Sequence, residues 1–195
     1  MTVSANRITT VGEKIRTLCA DKKISHEELA ERAGLTIGQL EIILTSDTVP
    51  SLAPLIKVAR ALGVRLGTFL DDTTHLGPAV HRRSEAQEPA TFSSQLSTAN
   101  SHLDFFSLAG SKTGRHMEPF LITIKPSPTI EPILSSHEGE EFIFVLQGAV
   151  NIIYGKDTFT LQAGDSIYYD SIVDHLVSAC NDEPAQLVAV VYTPF

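Results

Sequence analysis

The sequence predicts an α + β chain of two domains: a bundle of five short helices over residues 8–70 and an all-β sandwich or barrel over 102–195, joined by a linker at 71–101. Three observations carry this expectation. Up to residue 70, apolar residues recur at helical spacing, as with Val11, Ile15 and Leu18. After Arg115 the chain breaks into short runs rich in Ile, Val, Phe and Tyr, separated by glycine-containing turns. Between them lies a polar stretch rich in Ser, Thr and Ala, with Pro78 and Pro89 and little periodicity.

Taken in order, a first helix carries Val11, Ile15 and Leu18 on one face. Ser25 predicts the N-cap of the second, HEELAERA, with Glu28 as its capping-box partner and Gly34 as its left-handed stop. Thr36 caps a third helix whose inward positions are Leu40 and Ile43. Pro50 and Ser51 open a fourth, with Leu52, Leu55, Ile56, Ala59 and Leu62 on one stripe. A short fifth contains Leu66 and Phe69. The linker is expected to hold a short strand around Pro78–Arg83. Seven strands follow: PFLITI, EFIFVL, AVNIIY, TFTLQ, SIYYD, HLVSA and QLVAVVY, with turns at Gly148, Gly155-Lys156-Asp157 and Ala163-Gly164-Asp165. Phe142, Phe144 and Tyr168 read as core or pocket lining, and Cys180 as a strand-packing residue. His26, His75, His81, His102 and His116 have no ligand spacing.

The chain has 195 residues, of which 43 % are hydrophobic, enough for two modest cores. No apolar run approaches the ~20 residues of a membrane span, and MTVSANRITTVGEKIR lacks the apolar stretch of a signal peptide. The two cysteines, Cys19 and Cys180, lie far apart, which predicts a reducing, cytoplasmic setting rather than a disulfide framework. The net charge of −8 is unevenly divided. Residues 1–70 carry nine Lys/Arg against seven Asp/Glu, and residues 71–195 six against sixteen. Acid confined to the β half leaves nucleic-acid binding open to the helical half.

His137, Glu141 and His175 carry the most chemistry. Two imidazoles and a carboxylate can hold a divalent metal (Fe, Zn, Mn or Ni) and leave coordination positions open for a small molecule. His137 and Glu141 flank Gly139, where a tight bend can bring both side chains to a barrel mouth. His175 begins a later strand and completes the set. The other reading of the three is a polar pocket with no metal.

EKIRTLCADKKISHEELAERAGLTIGQLEIIL and PSLAPLIKVARALGV resemble the lambda-repressor-like, XRE-type helix-turn-helix domain, most specifically at LAERAGL and PSLAPLIKVARALGV. The region from residue 110 is similar to a single cupin domain, which implies a double-stranded β-helix or jelly roll. His137, Glu141 and Gly148 fall on the first cupin motif, and Gly164 and His175 on the second. Ser135 stands where the first motif has its leading histidine, and Asp170 and Ile172 replace the proline and glycine of the second. Together the two resemblances imply an XRE–cupin regulator: a homodimer on a double-stranded DNA operator, responsive to a small-molecule effector, with no membrane partner.

The resemblance further places the start of the third helix in the major groove. It assigns base reading to Thr36, Ile37, Gly38, Gln39 and Glu41, with Gln39 able to pair bidentately with adenine. His26 falls where relatives aim a glutamine at the backbone, and Lys22, Lys23, Arg16 and Arg32 are candidates for phosphate contacts. TIGQLEIILTSD contains no Lys or Arg, and Ile42 and Leu44 suggest burial against another surface. Two alternatives stay open beside the regulator. One is a mononuclear non-haem metal enzyme resembling hydroxypropylphosphonate epoxidase in domain order, with Lys23 at a lysine position of that enzyme. Against it, LDFFSL brings Phe105 and Phe106 where that enzyme has tyrosines. The other is a ligand-binding scaffold that has lost its DNA.

Overall fold

The structure, a computed structural model, describes residues 10–45, 52–71, 77–82, 103–126, 134–181 and 183–194. Its elements are α1 Val11–Lys22, α2 His26–Ala33, α3 Ile37–Thr45, α4 Leu52–Ala61 and α5 Gly67–Leu70. The strands are β1 Leu103–Ser107, β2 Met117–Ile124, β3 Glu140–Gln147, β4 Ala149–Tyr154, β5 Asp157–Gln162, β6 Ser166–Asp170, β7 His175–Ala179 and β8 Ala185–Tyr192. The five helices and seven expected strands are all present. Pro50 and Ser51, the expected start of α4, lie outside the described residues, as do His75 and His102.

Helix ends follow local chemistry, with one correction. The Ser25 side chain accepts from the Glu28 N–H, but the Glu28 carboxylate turns to Arg32 at 2.5 Å instead of closing a capping box. Reciprocal boxes form elsewhere, between Thr10 and Glu13 and between Thr36 and Gln39. Gly34 ends α2 at φ 63°, as expected. Ile15, Leu29, Leu40, Ile43, Leu55, Val58 and Phe69 fill the helical core. Leu44 belongs to that core too, so its apolar character needs no outside partner, whereas Ile42 stays exposed. Gly12 is required where α1 crosses the end of α3, since a Cβ there would lie 2.3 Å from the Leu44 carbonyl oxygen.

All β pairings between strands are antiparallel, in two sheets ordered β1-β2-β8-β3-β6 and β5-β4-β7. Phe120, Ile122, Ile143, Val145, Val150, Ile152, Leu187, Ala189 and Val191 face inward and are buried. The β half departs from the expected pattern at three places. The linker strand is absent over 77–82, which has no regular structure; Arg83 lies outside the described residues. Leu103–Ser107, not expected as a strand, pairs along β2 as an edge. Phe142, Phe144 and Tyr168 point outward and are exposed, at 36 %, 38 % and 62 %, because alternation along β3 gives the inward positions to Glu141, Ile143 and Val145.

Side-chain contacts tie the helical half to the barrel. Lys14 Nζ donates to the carbonyls of Phe69 at 3.0 Å and Asp71 at 2.7 Å. Buried Arg115 donates to Glu118 at 2.6 Å and forms an ion pair with Asp71. Gly67 lets α5 approach this pair, since a Cβ would come 2.9 Å from Glu118 Oε1. On the other side, Arg60 of α4 pairs with Glu138 in the bend before β3.

Candidate functional site

His137, Glu141 and His175 converge in the barrel, all buried, with one ligand-type atom from each within 4.8 Å of the others. The bend is what brings the first two together. Gly139 sits at φ 109°, and a Cβ on it would lie 1.9 Å from the Tyr192 carbonyl oxygen, so only glycine fits. His137 and Glu141 thereby come to lie on the same inner side, with His137 Nε2 2.8 Å from Glu141 Oε1. β7 presents His175, whose Nε2 lies 3.8 Å from the same oxygen. The imidazole rings are 5.5 Å apart and near-perpendicular.

Backbone carbonyls orient both rings. His137 Nδ1 lies 3.0 Å from the Glu138 carbonyl, and His175 Nδ1 2.8 Å from the Val173 carbonyl. A carbonyl can only accept, so each Nδ1 carries the proton and each Nε2 is turned toward Glu141. A nitrogen lone pair facing a carboxylate oxygen at 2.8 Å needs a cation or a proton between them. The donor set, two Nε2 atoms and a carboxylate with backbone-fixed rings, therefore fits a divalent cation.

Tyr169 at the site escaped sequence reading, whereas Ser135 stands where the cupin resemblance placed it. Tyr169 is buried and its hydroxyl donates to Glu141 Oε2 at 2.6 Å. The paired tyrosines of SIYYD were a signal, but choosing the inward one requires the Glu141–Tyr169 register. Ser135 is bridged to His175 by backbone hydrogen bonds, and its hydroxyl lies 3.5 Å from His175 Nε2. The hydroxyl thus stands at the edge of the cluster where a fourth donor would be.

Electrostatics favour a charged carboxylate. Burial pushes Glu141 up, but when a proton bridges it to His137 that hydrogen bond, the imidazole charges and the Tyr169 hydroxyl outweigh burial and hold it below its ordinary value. Burial and the Glu141 charge push the Tyr169 hydroxyl well up, so it remains a donor.

The cluster opens on a cavity of about 480 Å³. Its barrel side includes Phe105, Ile122, Leu187 and Val191, and its other side Gln39 at the start of α3 with Pro54 and Lys57 of α4.

In the helical half, Thr36, Ile37, Gly38, Gln39 and Glu41 are exposed at the start of α3, as are Lys22 and Lys23; His26 is half-buried. Gln39 is not idle there. Its amide oxygen accepts from the Thr36 N–H at 2.8 Å, so bidentate pairing with a base requires it to leave the cap. Arg16 donates to the Leu44 carbonyl at 2.5 Å and Arg32 holds Glu28, so both expected phosphate ligands already have protein partners.

Fold and site together define a two-part chain. Residues 14–74 match the family model of the Cro/C1-type HTH DNA-binding domain, and residues 120–191 that of the cupin domain. The chain carries both domains. Over 65 residues the chain is 34 % identical to the immunity repressor protein of Bacillus phage phi105, covering 33 % of this chain and 45 % of that protein. The chain thus spans under half the length of this curated relative. Over 96 % of its length it is similar to an HTH_3 family transcriptional regulator from Vibrio cholerae, with TM-score 0.66, 20 % identity and 97 % of that chain covered. It is also similar to Fe(II)-HppE with the alternative substrate (S)-1-HPP, with TM-score 0.51 and 21 % identity, over 98 % of this chain and all of that one. At these identities the two structures show the shared fold. Among the described residues, no helix is long and apolar enough to cross a membrane.

Proposed function

We propose that the chain is a transcriptional regulator that reads double-stranded DNA through its helical domain and senses a small molecule in its cupin domain. In this reading residues 8–70 are the DNA-binding domain, 71–101 the linker and 102–195 the sensor. Thr36, Ile37, Gly38, Gln39 and Glu41 read bases, while Lys22, Lys23 and His26 face the DNA backbone. His137, Glu141 and His175 hold a divalent metal, one of Fe, Zn, Mn or Ni.

The observation that carries the reading is the shared cavity: Gln39, at the edge that would enter the groove, lines the same space as the three-residue cluster. A molecule bound there touches both functions at once. Coupling then needs only that it bind the two arrangements of the domains unequally.

The regulator works as a homodimer in this reading. Support comes from the outer face of the larger sheet, where Phe142, Phe144, Leu146 and Tyr168 form an exposed apolar row.

The second reading, a mononuclear metal enzyme, draws on the three-donor cluster opening into a cavity. Phe105 and Phe106 offer no hydroxyls to it. Oxygen uptake dependent on added Fe(II) would favour this reading.

Metal analysis of protein purified without chelator tests the sensor site. About one metal per chain is expected, lost in the His137→Ala/His175→Ala variant while the helical domain stays folded. No metal even after anaerobic loading with Fe(II), Zn(II), Mn(II) or Ni(II) would remove the metal from the proposal. Retention of the full chain on double-stranded DNA fragments tests the other half, and its absence would leave a ligand-binding scaffold.

A further inference from the structure

Among the described residues, Lys57 is the only lysine or arginine lining the cavity, and it comes from the helical domain. It is half-buried, and among the described residues it has no carboxylate partner. Two of the acids near it are committed elsewhere, and Glu31 of α2, which shares a neighbouring pocket with Lys57, is exposed to solvent. Glu141 is held by His137, His175 and Tyr169, and Glu138 by Arg60, one turn beyond Lys57 on α4. Among the described residues Glu141 is the only carboxylate in the lining, and none of them forms an ion pair with Lys57. A half-buried ammonium without a partner favours an incoming anion.

The rest of the lining is mostly apolar. Phe105, Ile122, Leu187 and Val191 come from the barrel interior, while Ser135, Ser136 and Gln39 supply the uncharged polar groups. Such a surface takes a hydrocarbon body and leaves orientation to a few polar atoms.

We propose that the cavity binds a small organic carboxylate with an apolar body, its carboxylate on Lys57 and its body in the barrel, bridging the two domains. The proposal rests on the reading of the cupin half as a sensor and names its ligand class. Because Lys57 and the barrel lie on different domains, the bound acid links them directly. The Arg60–Glu138 pair already holds α4 against the barrel mouth.

The test uses the full chain and calorimetric titration with hexanoate, 1-hexanol and hexylamine. Wild-type protein should bind hexanoate, and bind it more tightly than either uncharged or cationic analogue. K57Q should weaken hexanoate at least about tenfold, and K57R should stay within about threefold of wild type. Hexanol binding should be the same in all three proteins, which shows that the barrel is intact. Absence of hexanoate binding to wild type, equal binding by K57Q, or preference for hexylamine would each overturn the proposal. Failure of the sensor-regulator reading shows up separately, in the metal content and DNA retention of the unliganded wild type.

Discussion

Tyr169 and Ser135 set what the cluster can hold. The Tyr169 hydroxyl takes one oxygen of Glu141 and leaves the other facing the imidazoles, so it fixes the carboxylate as a single-oxygen donor. Tyr169→Phe should keep the fold, since the ring stays buried, and weaken metal binding about 10–100-fold in competition with a chelator. An unchanged affinity would show that Glu141 is held by the histidines alone. The three clustered residues were legible in the sequence because they fall on the two cupin motifs, with His137 and Glu141 flanking Gly139. Tyr169 was not, because its role depends on which strand lies beside β3 and in what register. The same limit applies to Gln39, whose type suggests base reading while its amide oxygen sits on the Thr36 N–H.

At the scale of elements, caps and turns were readable and strand faces were not. Thr36, Ser25 and Gly34 act within a few residues of themselves, so their effect is written locally. The inward face of β3 depends on pairing with β8 and β6, and one step of register exchanges Phe142 and Phe144 with Glu141 and Ile143. β1 was missed because it is an edge strand, paired only with β2, and its half-buried positions give weak alternation. The outward row on β3 belongs to this scale as well. Phe144→Asp should convert the proposed dimer to monomer in light scattering, with the barrel intact because the side chain points to solvent. A dimer that survives the change would move the interface off this face.

Across the whole molecule, the joint between the domains is built from charges brought into the interior. Burial pushes Glu118 up to about 7 from its ordinary 4.5, with the adjacent Arg115 opposing the shift. Asp71 is raised in the same way, by burial against the pull of Arg115. Between pH 4.5 and about 7 the folded chain holds a proton on Glu118 that the unfolded chain releases. Stability should therefore fall as pH rises through that window, by at most about 1.4 kcal/mol per pH unit from this one group. Glu118→Gln should flatten that slope in denaturant melts between pH 5 and pH 8. A slope identical to wild type would place the titration elsewhere.

The sequence by itself determined the two domains, most of their elements and the three residues of the cluster, because each rests on periodicity, capping or a short motif that acts over a few residues. Only the tertiary structure decided that Glu141 is held by Tyr169, that Lys57 and Gln39 share a cavity with the cluster, and that Arg115 joins the halves. These pairings connect residues 28 to more than 80 positions apart. Local rules carry no information over that distance; strand register and domain packing do.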